Sequence, residues 1–232
     1  MTLQVLQHTS AEYLGLMEDH LEGRNIRFRY CRPFTGKVAL PRPAEIDRGL
    51  VLLGGGPWGS AGARDLPTLA AEVELTRAVL ALGKPVLGIG LGAQILALAA
   101  GGGVEPAPLQ FGVGRAARLV PDALEGYLPG SYPFATYMRD WPVPPRAARV
   151  LAVDERERPV LWQLGARALG FAGHPGLKVA MAEDLVMEFE DSPEGFAAGL
   201  EALRAAQRPL EDALVPVMAG IVRLCGWMEP AA

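Results

Sequence analysis

Cysteine, histidine and lysine are all scarce in this chain of 232 residues, at two, three and three copies. Cys31 and Cys225 lie far apart and share no metal-ligand spacing, which excludes a disulfide framework and a zinc knuckle and fits a reducing compartment. Neither a structural metal nor a cofactor is expected. Long apolar runs are also missing: no stretch approaches the roughly 20 apolar residues that a membrane span needs. Met1 to His8 reads as a short strand and not as a charged segment leading into an apolar core, so a cytoplasmic location is expected. Basic excess is absent too. Lys and Arg number 22 against 26 Asp and Glu, a formal net charge of −4, so nothing draws the chain to nucleic acid or to an anionic membrane.

What is present is an alternation of short apolar runs and helical stripes. Leu3 to Leu6 reads as a first strand, Ala11 to His20 as a helix stopped by Gly23, and Ile26 to Tyr30 as a second strand. Gly49 to Leu53 is a buried strand, followed by a glycine-rich loop and a helix near Leu66 to Leu82. Val86 to Ile89 runs into a glycine corner and a helix to Ala100. This pattern predicts an α/β fold with an open, mostly parallel sheet flanked by helices. Beyond Gly101 the pieces Gly112 to Leu119, Arg149 to Val153, Val160 to Gln163 and Ala168 to Ala172 read as a meander closing back over the sheet. Gly130 to Pro145, rich in proline and aromatics, reads as a loop packed by its own rings or, alternatively, as the wall of a ligand site.

The corner carries the functional question. Pro85 to Gln94 has the form of a strand-to-helix turn that projects one reactive side chain over a helix N-terminus, where backbone N–H groups stabilise an anion. Position 90 is glycine. The run Gly88-Ile89-Gly90-Leu91-Gly92-Ala93-Gln94 resembles the Gly-Ile-Cys-Leu-Gly-x-Gln signature of class I glutamine amidotransferases, departing from it at the third position. Gly55-Gly56-Pro57 after the strand ending at Leu53 is similar to the family's Gly-Gly-Pro loop. His174-Pro175 after Ala168 to Phe171 is similar to its His-Pro-Glu motif. The resemblance runs from about residue 1 to residue 176 and implies a flavodoxin-like class I amidotransferase fold. In that family a cysteine thiolate attacks glutamine's side-chain amide, a histidine shuttles the proton and a glutamate orients the histidine.

Carried over by position, the resemblance makes His174 the retained base, with Gly90 and Gly176 in the cysteine and glutamate places. Ala172-Gly173 stands where the family has Gln-Phe, and Tyr132 to Trp141 contains no histidine where active relatives commonly carry one. Gly56 and Leu91 match the backbone cradle for an oxyanion, Gly55 of the same loop matches a ligand-binding position, and Gln94 matches a contact to bound glutamine. The resemblance therefore implies a protein that has lost two triad members and binds glutamine or another small metabolite, or scaffolds a synthetase or transferase subunit, without hydrolysing amides. The alternative is a different hydrolase or transferase reaction run on His174 and the cradle. His8, at the end of the first strand, either reaches the pocket or satisfies a loop carbonyl.

Residues 1–190 are expected to form the amidotransferase-like domain and 191–232 a helical extension packed on it or on a partner. Val179 to Phe189 has helical character, Ser192-Pro193-Glu194 starts a helix with Phe196, Leu200 and Leu203 as its stripe, and Arg208-Pro209 separates it from a last helix kinked at Pro216. This predicts a C-terminal helical hairpin. Its apolar residues, which include Leu214, Met218, Ile221 and Leu224, outnumber what a surface appendage needs, so a homodimer is expected.

Overall fold

The structure, a computed structural model, describes residues 2–36, 39–189 and 191–229. The strands are β1 Leu3–Leu6, β2 Phe28–Cys31, β3 Leu50–Leu52, β4 Val86–Ile89, β5 Gly103–Glu105, β6 Gln110–Arg118, β7 Ser131–Met138, β8 Trp141–Val143, β9 Arg149–Val153, β10 Pro159–Leu164 and β11 Ala168–Phe171. The helices are α1 Met17–Glu22, α2 Leu69–Ala81, α3 Leu91–Ala99, α4 Val179–Glu188 and α5 Phe196–Leu224.

One sheet carries most of the strands, in the order β2-β1-β3-β4-β11-β10-β9-β6-β7, and β5 pairs with β8 apart from it. Pairing is parallel from β2 through β11 and antiparallel from β11 to β7. The parallel half follows from composition: β1, β3, β4 and β11 are apolar but for Gln4 and buried at every position, as strands covered on both faces must be. The antiparallel half curls back, so that the His174 N–H, just past β11, donates to the Ala135 carbonyl of β7 at 2.8 Å. The α/β fold and the meander of the sequence reading are both present.

Three local readings are corrected. The helix expected from Ala11 to His20 starts only at Met17, because the chain from Thr9 to Gly15 is drawn inward as a loop and Gly15 takes φ +61°. The aromatic segment 130–145 is not a loop: β7 and β8 occupy most of it, with Tyr132 and Tyr137 buried on opposite faces of β7 in separate apolar clusters. The helical hairpin is a single helix, α5, which runs through both Pro209 and Pro216. An interior proline costs roughly 3 kcal/mol, but Leu203, Leu210, Leu214, Val217, Met218 and Ile221 are all buried along that helix, and burying each such side chain returns about 1.5–3 kcal/mol. Packing overrides the break. Most of the apolar side chains from which self-association was expected are thereby covered within the chain itself. The boundary drawn at residue 190 lies outside the described residues.

Candidate functional site

The first switch in strand order falls between β1 and β3, and the loops leaving β1, β3 and β4 converge at their carboxyl ends, where open α/β sheets place ligands. At the end of β4 the Gly90 N–H donates to the Phe171 carbonyl at 2.8 Å, tying the corner to β11. Gly90 has φ +56° and ψ −116°, a conformation that glycine holds without the cost other residues carry. A Cβ built there would lie 3.5 Å from the Gly54 Cα, an ordinary contact. The turn thus keeps the geometry of a nucleophile elbow and the space for a side chain, and has none.

The surrounding groups are already engaged. The Gly56 N–H donates to Glu12 Oε2 at 2.9 Å, and Leu185 and Phe189 close over Gly56, within 2.9 and 3.3 Å of where a Cβ would stand. Burial pushes the Glu12 carboxyl up to about 7. Gly55 packs on the Leu91 side chain, whose Cδ2 would be 2.3 Å from an added Cβ. Gln94, fully buried, donates its amide to the Arg139 carbonyl at 2.7 Å and accepts the Ser60 hydroxyl at 2.6 Å. Its side chain holds two loops together.

His174 is turned into the protein. The Gly176 N–H donates to its Nδ1 at 3.1 Å, which leaves the proton on Nε2, and Nε2 donates to the Tyr13 carbonyl at 2.7 Å. Burial pushes its pKa down to about 4, against the opposing pull of the Tyr13 carbonyl; the ring is neutral with both nitrogens bonded. Gly176 in turn is wedged against the inward loop: its carbonyl accepts the Leu16 N–H at 3.0 Å, and a Cβ on it would stand 2.8 Å from the Leu14 carbonyl oxygen and 2.9 Å from the Met17 nitrogen. No carboxylate side chain fits there without moving backbone.

His8 meets a loop carbonyl and more. Its Nδ1 donates to the Gly54 carbonyl at 3.0 Å and its Nε2 to Glu72 Oε2 at 2.8 Å. Burial lowers its pKa, but the Glu72 charge and hydrogen bond outweigh this and lift it above the ordinary value. The ring bridges the Gly54 carbonyl and Glu72 and so braces the Gly54 loop.

Sequence reasoning missed Glu12, although Thr9-Ser10-Ala11-Glu12 carries the Ser/Thr-x-x-Glu signal of a capping motif and the Glu12 N–H does donate to Thr9 Oγ1 at 3.0 Å. It also missed Asp140, 1% exposed, whose carboxylate accepts the N–H groups of Ser60, Ala61 and Ala107 at 2.9, 3.1 and 3.1 Å. Two more acids fasten the end of α4 across the site. Glu188 accepts from the Ser10 and Ala11 N–H groups, and Asp191 pairs with Arg64 and Arg139 at 2.9 and 3.0 Å.

These features define an α/β protein with a strand–elbow–helix site of the kind that carries a nucleophile. Residues 32–130 match the family model described as glutamine amidotransferase class-I. A segment of 144 residues is 35% identical to a glutamine-hydrolysing GMP synthase of Aeropyrum pernix, covering 60% of this chain and 25% of that protein. Among solved structures, a glutamine amidotransferase from Methylobacillus flagellatus superposes with a TM-score of 0.82 at 25% identity, over 96% of this chain and 94% of that one. A glutamine amidotransferase from Thermotoga maritima has the same fold, with a TM-score of 0.83 at 24% identity over 99% of both chains. Residues 32–130 thus match the class I glutamine amidotransferase model, and the whole chain has the fold of solved glutamine amidotransferases.

Proposed function

We propose that this protein is a non-catalytic family member whose former reaction chamber now serves as structural core, and that it acts as a docking or scaffolding subunit beside a synthetase- or transferase-type partner. The observation that carries the reading is His174: both ring nitrogens are bonded to backbone, and position 90 offers no nucleophile for it to activate. A general base needs a free nitrogen within hydrogen-bond reach of the proton it takes. The same bonding counts against a different reaction run on His174, so that alternative gains no support.

Glutamine binding at the elbow is also disfavoured. The Gly56 donor is bonded to Glu12, and the Gln94 amide is bonded to Ser60 and to the Arg139 carbonyl. The synthetase-type partner is supported by the Aeropyrum pernix relative, in which the matched segment is a quarter of a larger synthase. Self-association is the weaker reading, because most of the apolar face of α5 is buried in its own chain. A cytoplasmic site of action fits the two cysteines, both free and buried.

Titration calorimetry with glutamine tests the closed chamber. The reading expects no heat of binding at millimolar glutamine. Saturable binding that is lost on Gln94→Ala and kept on a distant surface substitution would overturn it.

A further inference from the structure

Strand β6 has one edge paired along its length and the other mostly bare. Against β7 its register runs unbroken from Gln110↔Met138 to Ala117↔Ser131. Against β9 it pairs only through Ala117↔Val153 and Arg118↔Ala152. There β9 ends, and the chain turns into β10 with the Asp154 N–H on the Arg158 carbonyl at 3.0 Å. Two bonds fix which groups the bare edge presents. The Arg118 N–H donates to the Gly130 carbonyl beside β7 at 3.0 Å, and the Leu119 N–H donates to the Leu151 carbonyl of β9 at 2.8 Å. Successive residues of an antiparallel ladder point to opposite sides. Even-numbered residues of β6 therefore bond to β7, and the N–H and C=O groups of Phe111, Val113 and Arg115 face away from it.

Those of Val113 and Arg115 face an open groove whose other wall is the turn from Asp154 to Arg158 and whose lining includes Trp141, while the Phe111 carbonyl lies against Gly199 of α5. Donors dominate that lining. Trp141 is 4% exposed and its indole N–H has no acceptor among the described residues, a state that buried donors rarely occupy. The Arg158 guanidinium lies 3.8 Å from the centre of the Trp141 ring and pairs with Asp154 at 2.9 Å. Arg115 and Arg156 are exposed at the rim, with Glu155 as the one carboxylate not already bonded to Arg158. Gly112 leaves room, since a Cβ there would meet nothing within 4 Å.

We propose that this edge docks an extended, carboxylate-bearing peptide segment of a partner protein, which adds as an antiparallel strand in line with β9. From Val113 to Arg115 the edge spans about 7 Å at about 3.4 Å per residue, room for the central residues of a short added strand. Strand addition matches the alternate spacing of Val113 and Arg115, and acidic side chains answer the exposed Arg115 and Arg156. The inference stands whether or not the protein hydrolyses glutamine.

Amide hydrogen exchange read by NMR on the full chain tests it, with the capped peptide Ac-Thr-Glu-Val-Glu-Thr-NH2 as probe. In the free protein the Val113 and Arg115 amides should exchange at least about tenfold faster than those of Gly112 and Gly114, which bond to β7. The peptide should slow Val113 and Arg115 selectively. Arg115→Pro removes a groove-facing N–H and no bond to β7, so it should weaken the peptide at least about tenfold, about 1.4 kcal/mol, while Gly112 and Gly114 stay protected. Replacing both glutamates of the probe by lysine should weaken it as much. Equal exchange across 112–115 in the free protein, no protection by the acidic peptide, or equal binding of the lysine peptide would each overturn the proposal. Protection that rises with protein concentration alone would assign the edge to a second copy of the chain, and would overturn it too.

Discussion

Replacing Gly176 by alanine measures how firmly the inward loop is packed against residue 176. The added Cβ would stand 2.8 Å from the Leu14 carbonyl oxygen, 2.9 Å from the Met17 nitrogen and 3.0 Å from Met17 Cγ. Two of these are backbone atoms, so relief requires the loop or residues 174–176 to move. That movement strains the Leu16 N–H bond to the Gly176 carbonyl and the Gly176 N–H bond to His174 Nδ1, at 3.0 and 3.1 Å. Overpacking of this kind costs about 1–3 kcal/mol, and in a chain of this size each kcal/mol lowers Tm by about 2–4 °C. Gly176→Ala should therefore melt about 2–12 °C below the parent. Gly112→Ala is the matched control: its Cβ meets nothing within 4 Å, and the same change in a compatible strand position stabilises by about 0.4–1 kcal/mol. Calorimetric melting of both variants decides the matter. A Gly176→Ala protein as stable as the parent would refute the claim that the loop has closed this position.

Glu12→Gln should change how stability responds to pH. The folded carboxyl is raised from 4.5 to about 7, so the folded state holds a proton that the unfolded state loses, and wild-type stability falls as pH rises through that window by about 3 kcal/mol. The variant, measured by urea unfolding, should gain on the parent by that amount between pH 4.5 and 7; a constant difference would contradict it. His174 acts with the opposite sign: its folded pKa near 4 lies below the ordinary 6.5, so its contribution is lost as pH falls through that range, and Glu12→Gln should leave this acid-side loss in plain view. Gly90→Cys should fold, at a cost of about 1–3 kcal/mol for its positive φ, and its thiol at the α3 N-terminus should alkylate faster than Cys31 or Cys225. Those two are buried, and burial pushes the Cys225 thiol up to about 12; iodoacetamide labelling followed by mass spectrometry reads the order, and an unreactive residue 90 would count against the elbow geometry. Leu214→Ala, at 2% exposure in the core, should cost about 2–5 kcal/mol. A loss under 0.5 kcal/mol would mean that α5 is only loosely attached.

The sequence made β3 and β4 legible because each is a short apolar run that follows a glycine or proline, at Gly49 and Pro85, and β2 because its aromatic and charged residues alternate. The corner at Gly90 was legible as a glycine-rich run between an apolar strand and a helix. What stayed hidden depends on contacts between distant segments. Nothing in the local pattern of Ala11 to His20 says that Glu12 bonds to Gly56, and that bond helps to keep the segment from starting a helix. Pro209 reads as a break because the burial of Leu203, Leu210 and Leu214 on either side of it is tertiary information. His174 was identifiable by position, but the direction of its ring is set by the Tyr13 carbonyl, 161 residues away in sequence.

Ammonia released from glutamine by the purified full-length protein tests the central claim most directly. Losing a triad nucleophile commonly costs several orders of magnitude in rate, so the account predicts release indistinguishable from that of a His174→Ala variant. Release that depends on His174 would contradict it.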